Sequence, residues 1–210
     1  MKKLFLSAYF SGVAKLFQSF TENTCSGKTV VFIPTASIVE KVNFYVASDK
    51  KALIKLGMTI DELEISKATP EEIKTKITNA DYIFVEGGNT FYLLQELKRT
   101  GTDKLIVEQI NNGKLYIGVS AGSMIISKDI EFAKLMDDPA AAPDLKDYSA
   151  LGLIDFCVVP HYNNVPFKKA VEKIIAEYSG KLDLHPISNN QVVTVNGDTI
   201  ETLSVEKKKK

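Results

Sequence analysis

Arginine is nearly absent from this sequence, cysteine and histidine are scarce, and no long apolar run occurs. Arg99 is the only arginine among 26 basic residues. A two-pronged grip on a carboxylate or phosphate prefers arginine, so an acidic ligand would have to be met by Arg99, by lysine or by backbone amides. The two cysteines, Cys25 and Cys157, show no C-x-x-C spacing, and there are only two histidines. That argues against a zinc site, and no metal or organic cofactor is expected. Free thiols suit a reducing, cytoplasmic setting. No stretch approaches about 18 apolar residues, so no membrane-spanning helix is expected. The opening run MKKLFLSAYFSGVAKLF is broken by Lys15 and lacks a small-x-small cleavage site; it reads as a buried first strand rather than a signal peptide. The 26 basic and 26 acidic residues cancel, which removes any global electrostatic reason to bind nucleic acid or an anionic membrane.

What is present is ordinary globular material. The 210 residues are 45% hydrophobic and 25% charged, which excludes a disordered or fibrous chain. A chain of this length buries about 70% of its unfolded surface without staples. Short apolar runs alternate with helical periods. Strand-like runs cover 3–8, 29–34, 59–65, 81–86, 115–119 and 153–159, with three short strands between about 184 and 205. Helical periods cover 12–20, 43–56, 70–77, 90–98, 103–111, 121–127 and 167–178. The run TVVFIP has no polar alternation, as expected of a strand covered on both faces. Residues 136–148, with two prolines and three consecutive alanines, read as a long surface loop. The pattern predicts an α/β fold with a mostly parallel sheet between helical layers. It is read as one domain over 1–206, followed by a solvated basic tail at 207–210. Ligands of such sheets bind beyond the carboxyl ends of the strands, so motifs placed there carry the functional argument.

Three motifs stand there. Gly118-Val119-Ser120-Ala121-Gly122 fits G-x-S-x-G between an apolar strand and a helix; the glycines permit a sharp turn that pushes a nucleophilic hydroxyl out of the sheet. The amide of Ala121 would donate to an oxyanion. Glu86-Gly87-Gly88-Asn89-Thr90 follows the strand DYIFV, and the Gly88 amide is a second candidate oxyanion donor. Pro160-His161-Tyr162-Asn163-Asn164 places His161 at the end of the strand FCVV, on the edge expected for Ser120, where a general base is needed. His185, preceding Pro186, reads as structural. Ser26-Gly27-Lys28-Thr29 is not a phosphate-binding loop, because Glu22 stands where the first glycine belongs and a strand follows.

Taken together, FVEGGNTFYLL, IGVSAGS and PHYNN, with FIPTAS after an early strand, resemble the peptidase E (aspartyl dipeptidase) and cyanophycinase family of serine peptidases, in a short form. The resemblance covers about residues 1–205. It implies a flavodoxin-like three-layer sandwich similar to class I glutamine amidotransferases. It also implies Ser120 as nucleophile, His161 as base, Gly88 and Ala121 as the oxyanion hole, and short peptides as substrates. A homodimer is left open.

The sequence departs from that family in two places. The third triad member is usually acidic and lies some thirty residues after the histidine; here Pro186-Ile187-Ser188-Asn189-Asn190-Gln191 contains no carboxylate. Asn189 is the expected partner of His161, with Ser188, Asn190 or the more distant Asp137 as alternatives. Enzymes that cleave Asp-X dipeptides carry an arginine shortly after the histidine motif. The stretch VPFKKAVEKI has none, and Lys168 and Lys169 could act there only as point charges. Genuine Asp-X dipeptidase activity is therefore not expected. The expected function is serine-type hydrolysis of short peptides, with low activity. The alternatives are a catalytically weak or inactive peptidase-like binder of small ligands, and an esterase using Ser120, Asp137 or Asp155, and His185.

Overall fold

The protein is described by a computed structural model over residues 1–205; the basic tail predicted at 207–210 lies outside the described residues. The strands are β1 (Lys3–Ser7), β2 (Thr29–Ile33), β3 (Thr59–Glu62), β4 (Tyr82–Val85), β5 (Leu115–Val119), β6 (Cys157–Val159), β7 (Leu184–Pro186), β8 (Gln191–Asn196) and β9 (Thr199–Ser204). The helices are α1 (Phe10–Phe20), α2 (Phe44–Lys55), α3 (Pro70–Asn79), α4 (Thr90–Thr100), α5 (Thr102–Asn111), α6 (Ala121–Met124) and α7 (Lys168–Tyr178). The main sheet runs β3-β2-β4-β5-β1-β8-β9. Its first five strands are mutually parallel, and β8 and β9 add antiparallel to that edge.

The apolar strands alternate between two buried layers. Phe5, Phe32, Phe84 and Ile117 point to the layer holding Phe10, Val13 and Phe17 of α1 and Leu53 of α2. Leu4, Leu6, Val31, Ile33, Ile83 and Val85 point to the layer holding α3, α4 and α5. Both faces are thus filled, which is why the strands lack polar alternation. This is the flavodoxin-like, class I glutamine amidotransferase-like sandwich expected from the resemblance.

Helix entry follows from side-chain caps. Thr69 accepts a hydrogen bond from the Glu72 amide ahead of Pro70, and Asn89 accepts from the amides of Phe91 and Tyr92 at 3.1 and 3.0 Å. Such caps satisfy donors that have no partner inside the helix.

Two expectations need correction. The helix foreseen over 121–127 is a single turn, Ala121–Met124. The Ile125 and Ile126 carbonyls beyond it accept instead from Leu151 and Leu153. The strand foreseen over 153–159 shrinks to Cys157–Val159 and pairs in parallel with β7, forming a separate two-stranded sheet. Each edge of β1 is already occupied, by β5 and by β8, so the main sheet has no place beside β1 for β6. The region 136–148 is irregular as foreseen, with a short 3-10 turn at Pro139–Ala141.

Candidate active site

Ser120 stands between β5 and α6 with φ 48° and ψ −107°. A non-glycine residue there is strained by about 1–3 kcal/mol, and such strain persists only where the surroundings impose it. They do so here. The Ser7 carbonyl at the end of β1 accepts from the Ser120 amide at 2.9 Å and from the Ser123 hydroxyl at 2.8 Å. Tyr116, fully buried, donates to the Gly122 carbonyl at 2.7 Å. A Cβ on Gly122 would sit 2.1 Å from the Val85 carbonyl oxygen, so only glycine lets the turn close against β4.

The elbow aims the Ser120 hydroxyl at His161. Oγ lies 3.0 Å from Nε2, and the opposite ring nitrogen, Nδ1, lies 2.8 Å from Oδ1 of Asn189. His161 also has positive φ, 67°, and its ring stacks on Phe167 with centroids 4.6 Å apart. Burial pulls the imidazole below its ordinary range, partly offset by the Asn189 hydrogen bond. The ring is therefore neutral near pH 7. With Nδ1–H donated to Asn189, Nε2 is free to accept the serine proton.

Asn189 is itself tied down: its amide donates to Oδ1 of Asn164 at 2.9 Å. An open cavity of about 700 Å³ beside it is lined by Tyr162, Asn163, Asn164 and residues 188–191 among others, with no charged side chain among the described residues. The other proposed partners do not meet His161. The Ser188 hydroxyl donates to Asn190 and Gln191. Asp137 accepts from the amide and hydroxyl of Thr90 at the start of α4. Burial raises Asp137 to about 6, so it serves α4 rather than the histidine.

The second motif folds beside the elbow. Gly88 has φ 137°, and a Cβ there would lie 2.1 Å from the Ala36 carbonyl oxygen. That carbonyl accepts from the Asn89 amide at 2.9 Å, tying the turn to FIPTAS. Among the described residues, neither the Gly88 nor the Ala121 amide donates to a protein acceptor. Donors left free beside a nucleophile are what an oxyanion requires.

The esterase arrangement is not assembled. His185 stacks on Phe156 with centroids 4.3 Å apart, and Asp155 pairs at the surface with Lys128 at 2.6 Å. Two of the candidate cations have acidic neighbours on their own helices. Arg99 pairs with Glu96 at 2.6 Å and donates to the Ser66 carbonyl, and Lys168 lies 3.9 Å from Glu172.

Sequence reading missed Ser7, Ser123, Asn164 and the buried acids Asp49 and Glu86. Asn164 lies in a motif already singled out, but its acceptor role depends on a residue brought near only by folding.

Comparison with known proteins places the chain in a family. The sequence profile of Peptidase family S51 matches residues 4–203. An uncharacterized peptidase of Listeria innocua is 52% identical over 202 residues, 96% of each chain. A peptidase E of Shewanella denitrificans is 35% identical over 156 residues, 74% of this chain and 62% of that protein. A crystal structure from Listeria monocytogenes, provisionally called a peptidase E, superposes with a TM-score of 0.94 at 50% identity, covering 98% of this chain and all of that one. A glycine-flanked serine within hydrogen-bond reach of a histidine thus occurs in a chain matched by that profile almost from end to end, and the chain belongs to peptidase family S51, a serine-type peptidase.

Proposed function

We propose that the protein hydrolyses short peptides with Ser120 as nucleophile, His161 as general base and Asn189 as the group that orients the histidine. The observation that carries this reading is the unbroken line from Ser120 Oγ to His161 Nε2 and from Nδ1 to Asn189. Nε2 takes the serine proton as Oγ attacks the peptide carbonyl. The Gly88 and Ala121 amides receive the developing oxyanion. The imidazolium then protonates the leaving amine, and water, activated by the same nitrogen, releases the acyl group.

Asn189 selects the tautomer but supplies no negative charge to the imidazolium. Turnover is therefore lower than a carboxylate in its place would support. With Arg99 committed to Glu96 and no arginine after the histidine motif, an aspartyl side chain has no forked partner, and Asp-X dipeptides are poor substrates. The test is labelling with a generic fluorophosphonate, beside hydrolysis of a dipeptide panel. Labelling that disappears in Ser120→Ala is the expected result. An unlabelled wild-type protein would favour a non-catalytic ligand-binding role. Turnover of Asp-X substrates near the median enzyme rate of ~10 s⁻¹ would refute the specificity argument.

A further inference from the structure

Helix α1 begins without a cap of its own. Tyr9, at its N-cap, makes no capping bond, and its first turn carries no acidic residue. Helix α2 supplies what is missing. We propose that Ser48 and Asp49 of α2 are positioning residues, which clamp the first turn of α1 against the backbone of Asn189 and so hold His161 in line with Ser120. The effect on rate rests on the peptidase reading; the mechanical path does not.

Each link of the path is a direct contact. Asp49 is fully buried, and its Oδ1 accepts from the Ser11 amide at 2.8 Å. The Ser48 hydroxyl lies 2.9 Å from that of Tyr9 and 3.1 Å from that of Ser11. Two adjacent residues of α2 thus grip the start of α1. A Cβ on Gly12, the next residue of that turn, would lie 3.3 Å from the Tyr9 ring and 2.5 Å from the Asn189 carbonyl oxygen. The gripped turn therefore rests directly on Asn189. On its other side the Asn189 amide donates to Oδ1 of Asn164 at 2.9 Å. With its backbone fixed at both ends, Asn189 presents its own Oδ1 to Nδ1 of His161 at 2.8 Å.

The chemistry of Asp49 suits this place. The free amides and aligned peptide dipoles at a helix N-terminus favour an anion, and α1 is 11 residues long. Burial raises Asp49 to about 6, opposed by hydrogen bonding from Ser11 and from the Phe10 amide. The carboxyl group is therefore ionised at neutral pH. A buried anion is costly unless it is bonded, and these bonding groups all belong to the first turn of α1. Phe10, Val13 and Phe17 anchor the rest of the helix in the core. The clamp thus sets the fine position of Gly12 rather than the place of α1 as a whole, and its loss should cost rate without undoing the fold.

The test uses the full chain and two readouts. Asp49→Ala should slow phosphonylation of Ser120 by about 10-fold, the order of a small misplacement, and lower kcat more than KM. Asp49→Asn, which keeps an oxygen for the Ser11 amide, should lose less. In an Asn189→Ala background, where no side chain orients the histidine, Asp49→Ala should add less than about 2-fold, the scatter of independent effects. A larger added loss, or equal losses in the two Asp49 variants, would overturn the path through Asn189. Folding is checked by circular dichroism; if Asp49→Ala does not fold, Ser48→Ala, which cuts only the hydroxyl tethers, enters the same cycle under the same limit. The second readout needs no activity. The chain has two histidines, so His185→Gln assigns the ring signals in proton magnetic resonance. The Nδ1 proton of His161 should exchange slowly with solvent in wild-type protein and faster in Asp49→Ala. Unchanged exchange would overturn the clamp. If wild-type protein is neither labelled nor active, the peptidase reading fails while the ring proton still decides the path.

Discussion

The nucleophile side of the site and the base side are built in opposite ways. Ser120 is held by the main sheet: its amide bonds to β1, Gly122 closes against β4, and its chain neighbours are buried. His161 and Asn189 lie outside that sheet, beyond the two-stranded β6–β7 pair, held by stacking on Phe167 and by Asn164. One side is rigid through backbone packing, which tolerates no added atom. The other is positioned by side-chain hydrogen bonds worth about 1 kcal/mol each. Altering the elbow should therefore cost stability, and altering the arm should cost rate.

The largest effect expected is Ser120→Ala, which should remove labelling and lower turnover by at least about 10⁴-fold with little change in stability, because alanine keeps the Cβ and with it the backbone strain. An unchanged rate would end the nucleophile assignment. Gly122→Ala should destabilise by about 3 kcal/mol or more, on the scale of severe core overpacking, measured as a fall in denaturation midpoint. A fall below about 1 kcal/mol would show the elbow to be softer than its contacts imply.

On the other side, Asn189→Ala should reduce kcat by about 10²–10³-fold, part of the loss seen when a histidine base loses its orienting partner. Stability should change by no more than about 1 kcal/mol. Gly12→Val acts on the same residue from behind. A Cβ at Gly12 would lie 2.5 Å from the Asn189 carbonyl oxygen, so displacement of Asn189 should cut activity by about 10-fold, an order-of-magnitude effect of misplacement.

The smallest effects are those of pH. The base must be neutral, and burial holds His161 below its ordinary value. The acid limb of kcat/KM should therefore fall below about 6.5. Asn189→Asp adds a negative charge that favours the imidazolium, so the limb should move to higher pH as kcat rises; a limb that does not move would separate Asn189 from the titrating group. Asp137 is raised to about 6. Between its ordinary value, near 4, and 6, the folded chain holds a proton that the unfolded chain releases. Its contribution to stability is therefore lost as pH rises through that window. Asp137→Asn should flatten the corresponding fall in Tm without altering the His161 limb.

Local pattern made the elbow legible, because G-x-S-x-G after an apolar strand encodes its own turn through residues that touch one another in sequence. The β-α alternation likewise revealed the layered sheet, since continuous apolar runs occur where both faces are covered. The resemblance pointed to one short stretch for the histidine's partner and favoured Asn189, with Ser188, Asn190 and the more distant Asp137 left open; the fold brings Asn189 to the ring. Adjacent polar residues on a tight loop point in different directions, and sequence carries no record of which.

The buried acids show the limit most clearly. Asp49 sits in SDKK, within a segment read only as helical, and Glu86 closes a run read as a strand. Only packing reveals that both are stripped of water. The placement of β6 in a separate sheet was decided the same way, with both edges of β1 already occupied. Sequence by itself determined the alternation of strands and helices, the glycine-flanked turn at Ser120 and the absence of an arginine clamp, because these depend on residue type and near neighbours. Tertiary structure decided which amide faces the histidine, which carboxyl groups lose their solvent and which strands share a sheet. Those outcomes depend on groups far apart in the chain competing for the same space and the same hydrogen bonds.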